Sequence, residues 1–196
     1  MSARLDAQMA FLREADKLKQ VVRGTTLCDA SRYENSGEHS WHIALYAMVL
    51  GEDAPAGVDT ARVIRMLLLH DLVEIDAGDA PIFGDHDAAG MAEKERAAAD
   101  RIFGLLPEGQ ARAFRALWEE FEAAVSPDAR FAKSLDRFQP PNQNLASDGG
   151  SWVDYDTRFP TFEARVGEKI KRGAPWLWAW LEPKARAWFK ARGKLG

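Results

Sequence analysis

Two imidazoles and two carboxylates, His39, the adjacent pair His70-Asp71, and Asp136, stand in the order H…HD…D on three separate predicted helices. Neutral imidazole and ionised carboxylate together suit a divalent transition metal of borderline hardness. Four such donors on an octahedral ion leave positions for water and for a phosphate oxygen, which is what hydrolysis at a metal requires. Each residue alone reads as well as a core-edge polar group hydrogen-bonded to a neighbour. Inward or core-edge placement in three separate segments favours the ion. With only 4 histidines in the chain, a two-metal site rich in nitrogen ligands is not expected.

These donors need helices to carry them, and the hydrophobic spacing is helical almost throughout. Phe114, Leu117, Trp118, Phe121 and Val125 form one apolar stripe, as do Phe11, Ala15, Leu18 and Val22 near the start. ARVIRMLLLHDL is apolar nearly all round, the mark of a buried core helix, and His70 and Asp71 close it. Burying them costs several kcal/mol unless each finds a partner. His39 shares a face with Ile43, Tyr46 and Leu50 and should point inward. Asp136 lies one position from the stripe Phe131, Leu135 and Phe138. His42, three residues after His39, competes with Ile43 and is read as core or as support for the ligands. His86 reads as a solvated loop histidine.

Asn35-Ser36-Gly37-Glu38 reads as a capping box opening the helix EHSWHIALYAMVL. Ser126-Pro127-Asp128 places proline at a first helical position ahead of ARFAKSLDRF. Pro140-Pro141 should stop or sharply kink that helix, leaving NQNLASDGGSWVDYD as a polar loop. Beyond it, FEARVGEKIKR reads as helical, and APWLWAWLEPKARAWFKAR as one kinked or two short helices around Pro183. No strand pattern of useful length and no repeat is visible. The expectation is an all-α domain of seven to nine helices spanning 1–196, its C-terminal helices packed on the rest. Gly78 to Asp87 is the expected functional connection.

Composition bounds the rest. At 196 residues, 46% hydrophobic and 29% charged, the chain has the make-up of a globular protein with a substantial core. A net charge of -4 disfavours non-specific nucleic-acid binding. Cys28 is the single cysteine, so neither an internal disulfide nor a cysteine-based zinc site is expected. No signal peptide or membrane span is read in the sequence, and cytoplasmic location is the default.

The segments EHSWHIALYAMVL, LLLHDLVEIDAGDAP and AKSLDRFQPPNQNL, with E-x-x-x-x-D following the HD pair, resemble the signature blocks of HD-domain phosphohydrolases, nearest to the 5′-deoxynucleotidase branch. The likeness runs from about residue 10 to residue 147. It implies that His39, His70, Asp71 and Asp136 are ligands of one divalent ion (Mn, Co, Zn, Ni, Fe or Mg). It also implies that Glu74 moves a proton in catalysis and that Asp79, in the catalytic group, contacts the sugar. Arg23 would hold the phosphate of a nucleotide substrate, and the protein would be a homodimer. Taken as residues alone, Glu74 is equally a helix-end surface carboxylate, Asp79 a turn residue and Arg23 a surface charge.

In the implied reaction a phosphate monoester is hydrolysed. Arg23 supplies a permanently charged fork, and Glu74, four residues after His70, orients water or protonates the leaving 5′ oxygen. Phosphodiester hydrolysis or nucleotide sensing without catalysis remain open alternatives. Two departures are visible. Gly24 stands where some nucleotidases have tryptophan, which implies looser sugar discrimination, and Gln139 to Tyr155 breaks the expected pattern and should reshape the pocket. Arg32 and Glu34 are read as a local pair or as lining the pocket mouth. Trp176, Trp178, Trp180 and Trp188 are read as core or subunit packing, and EKERAAADR as a solvated face.

Overall fold

A computed structural model describes residues 2–84 and 87–196; His86 lies outside the described residues. The first apolar stripe does not stay helical to its end. Helix α1 (Ser2–Ala15) buries Phe11, a 3-10 turn (Asp16–Gln20) buries Leu18, and Val22 is exposed at the start of a strand. That strand, β1 (Val22–Thr26), pairs antiparallel with β2 (Tyr33–Asn35), Val22 opposite Asn35 and Thr26 opposite Tyr33. Elements this short leave no alternation to read, yet the ribbon carries Arg23 and Glu34.

Helix α2 (Ser36–Leu50) begins at the expected capping box. The Asn35 side chain accepts from the Glu38 amide at 2.9 Å, and the Glu38 carboxylate accepts from the Asn35 amide at 3.1 Å. Helix α3 (Thr60–Leu69) is capped by Asp59. It is one-sided rather than apolar all round: Val63, Met66 and Leu67 are buried while Leu68 is exposed. At His70 it tightens into a 3-10 turn (His70–Val73) that runs into the single turn α4 (Glu74–Ala77). Such tightening often marks a functional position, and here it holds the HD pair.

Helices α5 (Ala88–Phe103) and α6 (Glu108–Ala123) follow; α6 ends at the left-handed Ala124, so Val125 lies outside it and is exposed. Helix α7 (Pro127–Ala146) starts as expected, with Ser126 as cap and Pro127 in its first turn. It does not stop at Pro140-Pro141. Those residues withhold the amide hydrogens that the Asp136 and Arg137 carbonyls would otherwise receive, at about 3 kcal/mol for an interior proline. Burial of Phe138 and Pro141 on either side works against that cost, and the buried amides of Gln139, Gln143 and Asn144 are hydrogen-bonded. The expected polar loop is therefore helix up to Ala146, a turn with positive φ at Asp148, Gly149 and Gly150, and the short α8 (Ser151–Asp154).

Helix α9 (Phe159–Phe162) joins α10 (Glu168–Gly173) through a π turn (Glu163–Gly167), and α11 (Pro175–Ala191) runs unbroken through Pro183. Merged at their 3-10 and π junctions, the described segments make nine helices, within the expected range. Helix α7 is the axis, packed by α2, α3, α6, α10 and α11. Gly173 lets α10 approach it: a Cβ there would lie 2.2 Å from the Arg130 carbonyl oxygen. Trp178 and Trp188 are buried in the core as expected, whereas Trp180 is partly exposed beside Phe138. Among the described residues no helix is long and apolar enough to cross a membrane.

Candidate metal centre and catalytic cleft

The capping box sets the first turn of α2, and His39 follows it, fully buried. The 3-10 turn after α3 contributes His70, and α7 contributes Asp136. One donor atom from each of these three lies within 4.8 Å of the other two. The His39 Nε2 is 3.2 Å from Asp136 Oδ1, and the His70 Nε2 is 3.9 Å from the same oxygen. Asp71 stands outside that mutual set. Its Oδ1 is 2.8 Å from His70 Nε2, and its Oδ2 accepts from Arg23 Nη1 at 2.8 Å.

Both imidazoles are oriented from behind. The His70 Nδ1–H donates to the Leu67 carbonyl at 2.8 Å, which turns the buried Nε2 toward Asp71 Oδ1 and Asp136 Oδ1. The His39 Nδ1–H donates to Gln139 Oε1 at 3.0 Å. In turn the Gln139 amide donates to Glu34 Oε2 at 3.0 Å and to His42 Nδ1 at 3.2 Å, and Gln143 donates to Glu34 at 3.2 Å. Histidine ligands are characteristically held this way, the far nitrogen fixed so that the near one faces the ion. Two buried imidazole nitrogens aimed at carboxylate oxygens, with their far nitrogens fixed, fit a divalent cation.

Electrostatics follow the same crowding. Burial and Arg23 push the His39 imidazolium down, but the Asp136, Glu34 and Asp71 carboxylates outweigh them and raise it to about 9. Burial opposes ionisation of Asp136 and Asp71 too. Arg137 and the two imidazoles nevertheless hold Asp136 well below the usual carboxylate range, and His70 and Arg23 hold Asp71 low. Glu74 goes the other way, raised well above its ordinary value by burial and by the Asp71 charge. Its Oε2 accepts from the Ser36 hydroxyl at 2.5 Å. Asp79 is raised by burial and Asp71, and its Oδ2 accepts from the Gly24 amide at 3.3 Å.

Arg23, whose side chain is 10% exposed, is not a surface charge. Besides Asp71 it faces Glu34 at 3.5 Å and both Glu74 and Asp79 at 3.7 Å. Six of the seven expected site residues, Arg23, His70, Asp71, Glu74, Asp79 and Asp136, line one cleft, whereas His39 is fully buried and does not line it. The cleft's empty volume, open mouth included, is about 970 Å³. The expected functional connection contributes Asp79 to Phe83, and the segment after Gln139 contributes Pro140, Pro141, Asn144, Ser151, Trp152 and Tyr155. At Gly24 a Cβ would meet the Tyr155 hydroxyl at 3.2 Å and Pro81 at 3.5 Å. Tyr155 and Pro81 thus crowd the space a larger residue would need.

Several neighbours were not foreseen. Glu34 is buried rather than paired with Arg32, which instead bridges Glu38. Gln139 was assigned to a segment expected to leave the helix, although its i+3 spacing from Asp136 puts it on the same face. Glu95, in a run expected to be solvated, is half-buried, and with Glu122, Lys133 and Arg137 it lines the far wall of the cleft. The tryptophans Trp176, Trp178, Trp180 and Trp188 do not line it.

Comparison with known proteins agrees with this geometry. Residues 15–178 match the HD domain family. The chain is 32% identical to human 5′-deoxynucleotidase HDDC2 over 66% of its own length and 62% of that protein's. It is 28% identical to the zebrafish protein of the same name over 69% and 66%. It thus spans less than two thirds of the length of these relatives. A crystal structure of a predicted metal-dependent phosphohydrolase from Magnetospirillum magnetotacticum MS-1 superposes with a TM-score of 0.91 at 45% identity, covering 98% of both chains.

Proposed function

Because the chain belongs to the HD domain family, we propose that it is a metal-dependent phosphohydrolase that removes the 5′-phosphate from deoxynucleoside monophosphates. The observation that carries this reading is the convergence of buried donor atoms from His39, His70 and Asp136, all within 4.8 Å of one another. Likeness to the human relative supports the monophosphate substrate, and likeness to the bacterial phosphohydrolase supports the metal.

His39, His70 and Asp136 would hold the ion, with Asp71 as the fourth ligand through the oxygen that Arg23 leaves free. A divalent cation there supplies Lewis acidity, acidifying water and polarising a phosphoryl oxygen. Arg23 keeps Asp71 ionised and fixed in orientation, and shares its fork with a phosphate oxygen that approaches the carboxylates it braces. Burial and Asp71 disfavour the Glu74 charge and raise its pKa, which suits it to protonate the departing 5′ oxygen. Asp79 is anchored by the Gly24 amide through one oxygen, and its other oxygen, 3.7 Å from Arg23, would accept from a sugar hydroxyl. Trp41, Leu45, Met48 and Val49 are exposed along α2, an apolar face that supports the homodimer reading.

The test is phosphate release across deoxynucleoside and ribonucleoside monophosphates, cyclic nucleotides and triphosphates, before and after chelation. The reading expects turnover of deoxynucleoside monophosphates, abolished by chelator and restored by added divalent ion. Turnover that survives complete metal removal, or turnover of the cyclic substrates alone, would overturn it.

A further inference from the structure

Gly24 lines the cleft between Arg23 and Thr25, in the extended backbone of β1, which any residue can adopt. Glycine is therefore not demanded by the strand. What the missing side chain does is leave room: the Tyr155 hydroxyl lies 3.2 Å and the Pro81 ring 3.5 Å from where a Cβ would stand. The Gly24 amide also donates to Asp79 Oδ2. The carboxylate proposed to take a sugar hydroxyl, the bare Cα of Gly24 and the phenol tip of Tyr155 are thus neighbours. The phenol feels that carboxylate, since burial and then the Asp79 and Asp154 charges raise its pKa.

Tyr155 is held there on a firm seat. A Cβ on Gly149 would overlap the Trp188 ring, and one on Gly150 would lie 2.5 Å from Asn144 Oδ1, so the turn before α8 is packed tight against both. Asn144 accepts from the Ser151 amide at 3.2 Å and donates to the Ser151 hydroxyl at 2.9 Å. Trp152 is fully buried, its ring centroid 4.9 Å from that of Phe189 and 5.1 Å from that of Phe162. From the rim, the Tyr33 hydroxyl donates to Asp154 Oδ2 at 3.2 Å and ties α8 to β2. Pro81 is anchored too: its carbonyl accepts from the Gly84 amide at 2.8 Å, and Arg165 donates to the Ile82 carbonyl at 2.9 Å. Tyr155 itself lines the cleft and stays 38% exposed. Two fixed side chains therefore close the space along β1 beside Asp79.

We propose that Tyr155, with Pro81, selects deoxyribose over ribose in this chain by filling the space beside Asp79 that a second sugar hydroxyl would need. This rests on the phosphomonoester reading given above, in which the ion and Arg23 take the phosphate and Asp79 the sugar. A ribose brings two hydroxyls on adjacent carbons, and the Asp79 oxygen not held by Gly24 accepts from one of them. The other has to enter space already occupied by the Tyr155 side chain and the Pro81 ring. Either the sugar shifts off Asp79 or that hydroxyl loses its water there. A deoxyribose meets neither cost. Exclusion of one extra hydroxyl discriminates by about tenfold to a hundredfold.

The experiment compares 2′-deoxyadenosine and adenosine 5′-monophosphates on manganese-loaded protein, by kcat/KM for phosphate release and by thermal shift. Wild type should favour the deoxynucleotide by about tenfold or more. Tyr155→Ala should lose most of that preference, mainly by improving the ribonucleotide. Tyr155→Phe should fall between, because the hydroxyl is the atom set against Gly24. Adding Gly24→Val to Tyr155→Ala refills the space from the strand and should restore part of the preference, a rescue that a general loss of structure would not give. A wild type that does not discriminate or that prefers the ribonucleotide, or a preference unchanged in Tyr155→Ala, would overturn the proposal while leaving the assigned reaction in place. If no nucleotide is hydrolysed, but the deoxynucleotide stabilises wild type more than the ribonucleotide and Tyr155→Ala abolishes the difference, the sugar selection stands and the reaction falls. Neither binding nor hydrolysis of either nucleotide sinks both.

Discussion

Replacing Gln139 by leucine removes the group that orients His39 without touching a proposed ligand. Gln139 is fully buried, accepts from His39 Nδ1 at 3.0 Å and donates to Glu34 at 3.0 Å. Outer partners of this kind are worth about 10–100-fold in metal affinity, equivalent to about 1.4–2.7 kcal/mol. Stability should suffer separately: Glu34 keeps the Gln143 donor at 3.2 Å and the Arg23 contact at 3.5 Å but loses the shorter amide bond, and a lost hydrogen bond to a buried charge costs about 1.5–3 kcal/mol. Competition against a chromophoric chelator, with Mn or Co, measures the first quantity, and urea unfolding of chelated protein measures the second. A metal dissociation constant within twofold of wild type would refute the claim that Gln139 aims His39 at an ion.

Two further perturbations address proton chemistry. Glu74→Gln should retain metal while kcat falls about 10²–10⁴-fold, the usual range for a lost general acid. The alkaline fall in activity should vanish with it, since Glu74 is held protonated well above the ordinary carboxylate range; wild-type-like turnover would exclude it as the acid. In metal-free protein His39 titrates at about 9, above its ordinary 6.5. The sign follows from linkage: the stabilisation is complete below about pH 6.5 and is lost as pH rises through about 9, amounting to about 3 kcal/mol. Urea midpoints of chelated protein at both ends of that window check it, and a flat or rising trend contradicts it. At neutral pH, metal binding should release close to one proton, read from calorimetry in buffers of different ionisation enthalpy.

What could be read in the chain divides along physical lines. Long amphipathic segments and their caps were legible because period and N-cap chemistry are local. Asn35 with Glu38 and Ser126 with Pro127 sit where their side chains say they should. The ribbon holding Arg23 and Glu34 was not, because its strands are three and five residues long and get their meaning only from pairing. At Pro140-Pro141 the local rule was outweighed by burial on both flanks, a tertiary effect that no window of sequence contains. The H…HD…D residues were visible as types in a pattern. Gln139 and the Lys133–Arg137 pair were not, since a buried amide or a cleft-facing cation looks like any other polar residue until its neighbours are known. Asp71 shows the limit from the other side: its place beside His70 was readable, but its bond to Arg23 depends on a contact across 48 residues.

The central claim is that one divalent ion is held between α2, the turn after α3, and α7. Elemental analysis of protein stripped with chelator, reloaded with manganese and desalted tests it most directly when wild type is compared with His70→Ala and Asp136→Asn. The account predicts one ion per chain in wild type and a substoichiometric residue in both variants, each still folded by circular dichroism. Equal metal content in all three, or none in wild type, would contradict it.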